Sequence, residues 1–209
     1  MKIPQIKKHI DKNDKKNTYK ELRKRRDEAI LTGHYLEVII YAYAMIEDRT
    51  LSFLHHLYIV NRNIYPYIIE PNIYNSVFFL MNPNKDIFKE EYKPDLEKIS
   101  VKMKVIQKIC EYCEDDEFIC EIKKFLEENL NINELIQDIK SLEKWCDKRN
   151  EIIHCLYNKN LEDADKQIKD IALEGERLSS SFGSYTDIIK ARRTDKKSIR
   201  SIYENRITN

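Results

Sequence analysis

The chain has 209 residues, 42% of them apolar and 35% charged, with a formal net charge of +1. That length suits one domain with a substantial core, and the near-neutral balance excludes a global field that would draw the whole molecule onto nucleic acid or an anionic membrane. Three glycines and five prolines are too few for a fold that turns every few residues, so an all-α protein is expected.

Residues 1–17, rich in Lys, Asn and Asp, are expected to form a flexible basic arm ahead of a single helical domain over 18–189. The opening MKIPQIKKHIDKNDKK has no apolar stretch of the kind a secretory leader carries, and no apolar run approaches the roughly 20 residues that span a bilayer. Five cysteines, an odd number, fit reduced thiols better than a disulfide framework, so the expected location is the cytoplasm, with no membrane partner. The first helix is predicted over Thr18 to Thr32, with Thr18 as N-cap, Glu21 completing a capping box and Gly33 closing the C-terminus. It carries KELRKRR, residues 20–26, a solvated face or a strip for phosphates.

The second helix, Tyr35 to about Val60, is the most apolar, and its predicted seam is Leu36, Ile40, Tyr43, Glu47, Leu51, Leu54 and Tyr58. Residues 61–94 hold four of the five prolines and read as a long irregular insertion between the second and third helices, packed by its aromatics. Asp95 then caps a helix to about Cys113, Asp115 opens a shorter one to Glu128, and Asn131 or Asn133 starts a long helix through Tyr157. The seam of that long helix is Leu135, Ile139, Leu142, Cys146, Arg149, Ile153 and Leu156. A further helix runs from about Leu161 past Leu178, and from Lys190 the chain reads as a basic tail.

Two charged residues, Glu47 and Arg149, occupy seam positions where apolar ones are expected. An unpaired buried guanidinium is costly, so Arg149 needs a partner or a wet cavity. Either the two residues pair across antiparallel helices and fix their register, or both helices open there onto a polar cleft. Asn150 and His154 lie on one stripe, a turn apart, and His154 sits about 140° round from Arg149. Asp147 and Glu151 form an acidic stripe on the far side of the arginine. A bidentate cation, an amide and an imidazole that titrates near neutrality suit phosphodiester chemistry without a metal, for which an RNA 2′-hydroxyl supplies the nucleophile.

Arg149-Asn150-x-x-x-His154 resembles the R-x(4–6)-H motif of HEPN domains, in which Asn, Asp or His commonly follows the arginine. The layout is also similar, with an all-α core, a long apolar second helix bearing an acidic residue and a motif late in a later helix. The likeness spans roughly Thr18 to Leu178 in architecture and the one hexad in residues. It implies a HEPN-like helical bundle and a metal-independent endoribonuclease without a cofactor, acting as a homodimer on RNA at a composite cleft. It further implies a toxin–antitoxin, abortive-infection or CRISPR-linked setting, with an antitoxin or another defence-system protein as partner. In those roles Arg149 binds and polarises the scissile phosphate, His154 is the general base or acid, and Asn150 orients them. Some family members carry a nucleotidylated tyrosine two residues after the histidine, whereas here Tyr157 stands three after. Arg49 and His55 fit the loose motif too, but Thr50 follows that arginine.

The alternative is a non-catalytic HEPN-like module that binds RNA, a nucleotide or a protein partner. Cys110-x-x-Cys113 with Cys120 reads as structural thiols instead of half a zinc site. His55 and His56 lack metal-ligand spacing and read as a helix-surface pair. Cys146 or Cys155 with His154 would suggest a Cys–His nucleophile, but Cys155 is the next residue and points away from the imidazole on a helix, and the class is disfavoured. Arg192, Arg193, Lys196, Lys197 and Arg200 read as a solvated end, and Trp145 as core.

Overall fold

The computed structural model describes residues 12–61, 68–82, 95–112, 116–155 and 161–208. Among these the fold is all-α, as expected, with eight α-helices and a single two-residue ladder. In chain order these are α1 (Lys12–Thr32), α2 (Tyr35–His56), β1 (Val60–Asn61), β2 (Ile68–Ile69), α3 (Tyr74–Met81), α4 (Ile99–Glu111), α5 (Glu117–Asn129), α6 (Ile132–Cys155), α7 (Leu161–Ala191) and α8 (Lys197–Thr208). No described helix is long and apolar enough to cross a membrane.

The first helix begins six residues before the predicted cap. Lysines and a few Asn do not stop a helix, so α1 includes 12–17, and Thr18 lies inside it. Glu21 accepts from Arg25 Nε at 2.9 Å and builds no capping box. Gly33 does close α1: its φ of +78° lets its N–H reach the Ile30 carbonyl while His34 N–H reaches Ala29. The same paired closure ends α2 at His56, with Tyr58 in the left-handed position at φ +62° and its ring stacked on Tyr203. The helix therefore stops short of Val60, which enters the ladder opposite Ile69.

α2 is the central helix, covered most extensively by α7 and also by α1 and α4. Its buried apolar residues are Val38, Ile39, Ala42, Met45, Ile46, Leu51, Phe53 and Leu54, which include Leu51 and Leu54 of the predicted seam but not its first half. The period was legible, but the phase was not, because α2 is apolar on nearly every side and two stripes compete. Ile40, placed in the seam, is 49% exposed, and Leu36, Tyr43 and Glu47 are only partly buried beside it. On α6 the predicted stripe holds, with Leu135, Ile139 and Leu142 fully buried, and Leu156 lies outside the described residues.

The stretch after α2 is less irregular than its composition suggests. It contains the antiparallel ladder, a 3-10 turn at Pro71–Ile73 and the whole of α3, whose Val77, Phe78, Leu80 and Met81 join the core. Asp95 does not cap α4; it accepts the Glu97 N–H at 3.1 Å in a turn before the helix, which starts at Ile99. α5 is capped by Asp116, whose Oδ1 accepts from the Ile119 N–H at 3.1 Å, and the predicted cap Asp115 lies outside the described residues. Asn131 accepts from Glu134 N–H at the start of α6, which is described to Cys155.

The predicted basic tail is folded structure. α7 runs through SSSFGS to Ala191, and α8 packs back on α5 and the Pro71–Ile73 turn. Lys196 is 3% exposed, Ile199 is buried, and Arg206 donates to Ser76 Oγ at 2.7 Å and pairs with Asp116 at 3.3 Å. These contacts tie the last helix to α3 and α5.

Candidate functional site

The site lies where Arg149 of α6 reaches Tyr43 of α2. One turn before Arg149, the Trp145 indole N–H donates to the Ile171 carbonyl of α7 at 2.7 Å. Gly175 of α7 makes the room, since a Cβ there would sit 2.5 Å from the indole ring. This lock fixes the rotation of α6, and with it the direction of the following turn.

Arg149 leaves α6 toward α2 and lays its guanidinium 4.2 Å above the centre of the Tyr43 ring. Its Nη1 donates to Asn150 Oδ1 at 2.9 Å, so the amide steers the fork. Its Nε is buried with no hydrogen-bond partner. Among the described residues no carboxylate lies within ion-pairing distance of this arginine. A guanidinium stacked on an aromatic face without a described acid partner can accept an anion through its free N–H groups. His154, one turn beyond Asn150, is exposed to solvent, with no described hydrogen bond to its imidazole.

The expected pairing of Glu47 with Arg149 does not form. Glu47, whose side chain is 43% exposed, lies 3.9 Å from Nζ of Lys102, a lysine of α4 that is 1% exposed. Burial lowers the lysine's pKa, opposed by the attraction of Glu47, Asp48, Asp95 and Glu97. Burial likewise raises the Tyr43 hydroxyl; Glu47 adds to that rise and Arg149 opposes it, so both charges reach this phenol. Asp147 and Glu151 are exposed on the outer side of α6, and Tyr157 lies outside the described residues.

The competing motif is placed differently. Arg49 pairs with Asp187 of α7 at 3.0 Å and covers the Tyr19 ring at 4.6 Å, while His55 Nδ1 lies 3.0 Å from the Val60 carbonyl oxygen. Its cation already has an anion, and its imidazole serves the end of α2. The Cys146 thiol, half-buried beside Arg149, is pushed up to about 11 by burial, and Cys110 to about 12, so both stay protonated near neutrality. Cys113 lies outside the described residues.

Two contributors went unrecognised in the sequence. Tyr43 looked like seam and is the platform beneath Arg149. Lys102 gave the same signal as Arg149, a charge interrupting the apolar stripe Ile99, Met103, Ile106 and Ile109, and that signal was available. Comparison of the chain with protein-family models, curated proteins and solved structures produced no match.

Proposed function

We propose that this protein is a metal-independent endoribonuclease of the HEPN type, working as a homodimer in which two copies of the Arg149–Asn150–His154 face form one cleft. The observation that carries this reading is Arg149: stacked on Tyr43, steered by Asn150 and paired with no described carboxylate. In the cleft Arg149 binds the scissile phosphate of RNA and stabilises the charge that builds on its oxygens. One His154 takes the proton from the 2′-hydroxyl as the 2′-oxygen bonds to phosphorus. The His154 of the second copy gives a proton to the departing 5′-oxygen. The products are a 2′,3′-cyclic phosphate and a 5′-hydroxyl, and neither metal nor cofactor takes part. By the same resemblance the setting is phage defence or a toxin–antitoxin system, with an antitoxin as partner.

The test is cleavage of total RNA by purified protein in excess chelator. Wild type is expected to cut, and Arg149→Ala and His154→Ala to lose at least a hundredfold in rate while their circular dichroism and elution volume stay unchanged. Cleavage undiminished in both variants overturns the proposal. One observation favours a second reading: the His154 imidazole is exposed and has no described partner to fix its tautomer. If wild type binds RNA through Arg149 but never cuts it, the protein is a non-catalytic RNA-binding module of the same kind.

A further inference from the structure

Arg149 is available to an anion although a half-exposed carboxylate, Glu47, stands close by. Glu47 follows Tyr43 by one turn on α2, and Tyr43 lies directly beneath the guanidinium. Residues four apart on a helix have Cβ atoms about 6 Å apart. Glu47 and Arg149 also both act electrostatically on the Tyr43 hydroxyl, one raising and the other lowering its pKa. Helix spacing and this shared neighbour put the carboxylate close enough to compete for the arginine. The carboxylate instead lies 3.9 Å from Nζ of Lys102, a buried residue of a third helix, α4.

A buried lysine at this position is expensive. Burial disfavours its charged form, and its nearest carboxylate is 3.9 Å away, an ion-pair distance beyond hydrogen bonding. Met or Leu would fill the same volume among Ile99, Met103 and Ile106 without that cost. We infer that Lys102 is a positioning residue that occupies Glu47 and so keeps the Arg149 guanidinium free for a phosphate. Lys102 touches no substrate. It acts through a competing acid, and its value is the pairing that it prevents. The inference rests on the reading that Arg149 receives the RNA phosphate, and it adds how that site is kept open.

The arrangement has a signature that a merely structural lysine lacks: loss of Lys102 should be repaired by loss of Glu47. The probe is a short single-stranded RNA, with affinity measured by fluorescence anisotropy in chelator and melting temperature recorded for every variant. Arg149→Ala is expected to weaken binding by about tenfold or more. Lys102→Met should weaken it by about fivefold, the worth of one exposed ion pair now formed between Glu47 and Arg149. Glu47→Gln alone should bind as well as wild type or tighter, and the Lys102→Met, Glu47→Gln double variant should return to within about twofold of wild type. Should Lys102→Met fail to fold, Lys102→Gln replaces it in the same cycle. A lysine variant that folds and binds like wild type overturns the inference, as does a weakened one that Glu47→Gln does not rescue. If instead Arg149→Ala binds as tightly as wild type, the underlying assignment of the phosphate site fails.

Discussion

Trp145 and Gly175 fit as ring and recess: the indole of α6 fills the space left by the missing side chain of α7 and donates to the Ile171 carbonyl one turn away. A glycine inside a long helix costs about 1 kcal/mol against alanine, so its presence here needs a compensating contact. The indole is that contact. Gly175→Ala should be destabilising despite the better helix propensity, because a methyl 2.5 Å from Cζ2 must push α6 and α7 apart. A loss of about 1–3 kcal/mol is expected in chemical denaturation. Since Arg149 lies one turn beyond Trp145, RNA cleavage should fall as well. A variant as stable as wild type would show that the helices yield freely and that the lock is not one.

The contact between Arg149 and Tyr43 predicts a split between two substitutions of the tyrosine. The guanidinium rests on the ring face, not on the hydroxyl, so Tyr43→Phe keeps the platform and Tyr43→Ala removes it. Stacking of this kind is worth about 0.5–2 kcal/mol, which corresponds to a roughly two- to thirtyfold effect on whatever Arg149 does. Cleavage assays should place Tyr43→Phe within about twofold of wild type and Tyr43→Ala well below it. Equal loss in both would move the role from the ring to the phenol, where Glu47 and Arg149 also act.

What the sequence disclosed of this site depended on how many residues competed for one role. On α6 the charged and apolar residues segregate cleanly, so Leu135, Ile139 and Leu142 were found in the core and Arg149 stood out as an intruder. On α2 apolar residues lie nearly all round, so the pattern does not distinguish the half-exposed Ile40 and Tyr43 from the buried Val38, Ile39 and Ala42. The partner of Glu47 was missed for a different reason. Ion pairs between helices depend on long-range packing, which sets Lys102 of α4 beside Glu47 with no local sequence signal linking the two. The C-terminal helix was missed because Lys and Arg dominate its composition, while Lys196 and Ile199 carry its burial and Arg206 its ties to Ser76 and Asp116.

Lys196 makes stability depend on pH in a direction that can be worked out. Its Nζ donates to the His56 carbonyl at 3.1 Å, and burial, with a smaller contribution from Arg193, brings its pKa down to about 8. In the unfolded chain the amine titrates near about 10.4. Between those two values the unfolded state binds more protons than the folded one, so this group adds stability as pH rises from about 8 toward 10.4. Below about 8 both states hold the proton and the full cost of burying the charge persists. Tyr185, whose hydroxyl is raised by burial and by Asp138, works in the opposite sense at high pH, so a single profile mixes the two. The difference between wild type and Lys196→Met isolates the lysine. Wild type should gain on the variant by up to about 2 kcal/mol as pH goes from 7.5 to 10. Parallel profiles would mean that the amine is better solvated than its position implies.

The two arginines that fit the same loose motif should separate stability from function. Arg49 bridges α2 and α7, pairing with Asp187, whose side chain is 59% exposed, and covering Tyr19. Arg49→Ala loses that packing and is expected to cost about 1 kcal/mol, leaving RNA cleavage within about twofold of wild type. Arg149 has the reverse character. No described carboxylate pairs with it, and its Nε, like that of Arg49, is buried without a hydrogen bond, a state that detracts from folding. Replacing it with leucine removes the unpartnered donor and keeps apolar contact with Tyr43, so Arg149→Leu should melt no lower than wild type. Its cleavage should nevertheless be lost. That combination, stability kept or gained while activity vanishes, is the mark of a residue retained for what it binds. Thermal denaturation and the chelator-resistant cleavage assay, run on both variants, decide the matter. A large drop in melting temperature for Arg149→Leu would assign this arginine to the fold instead.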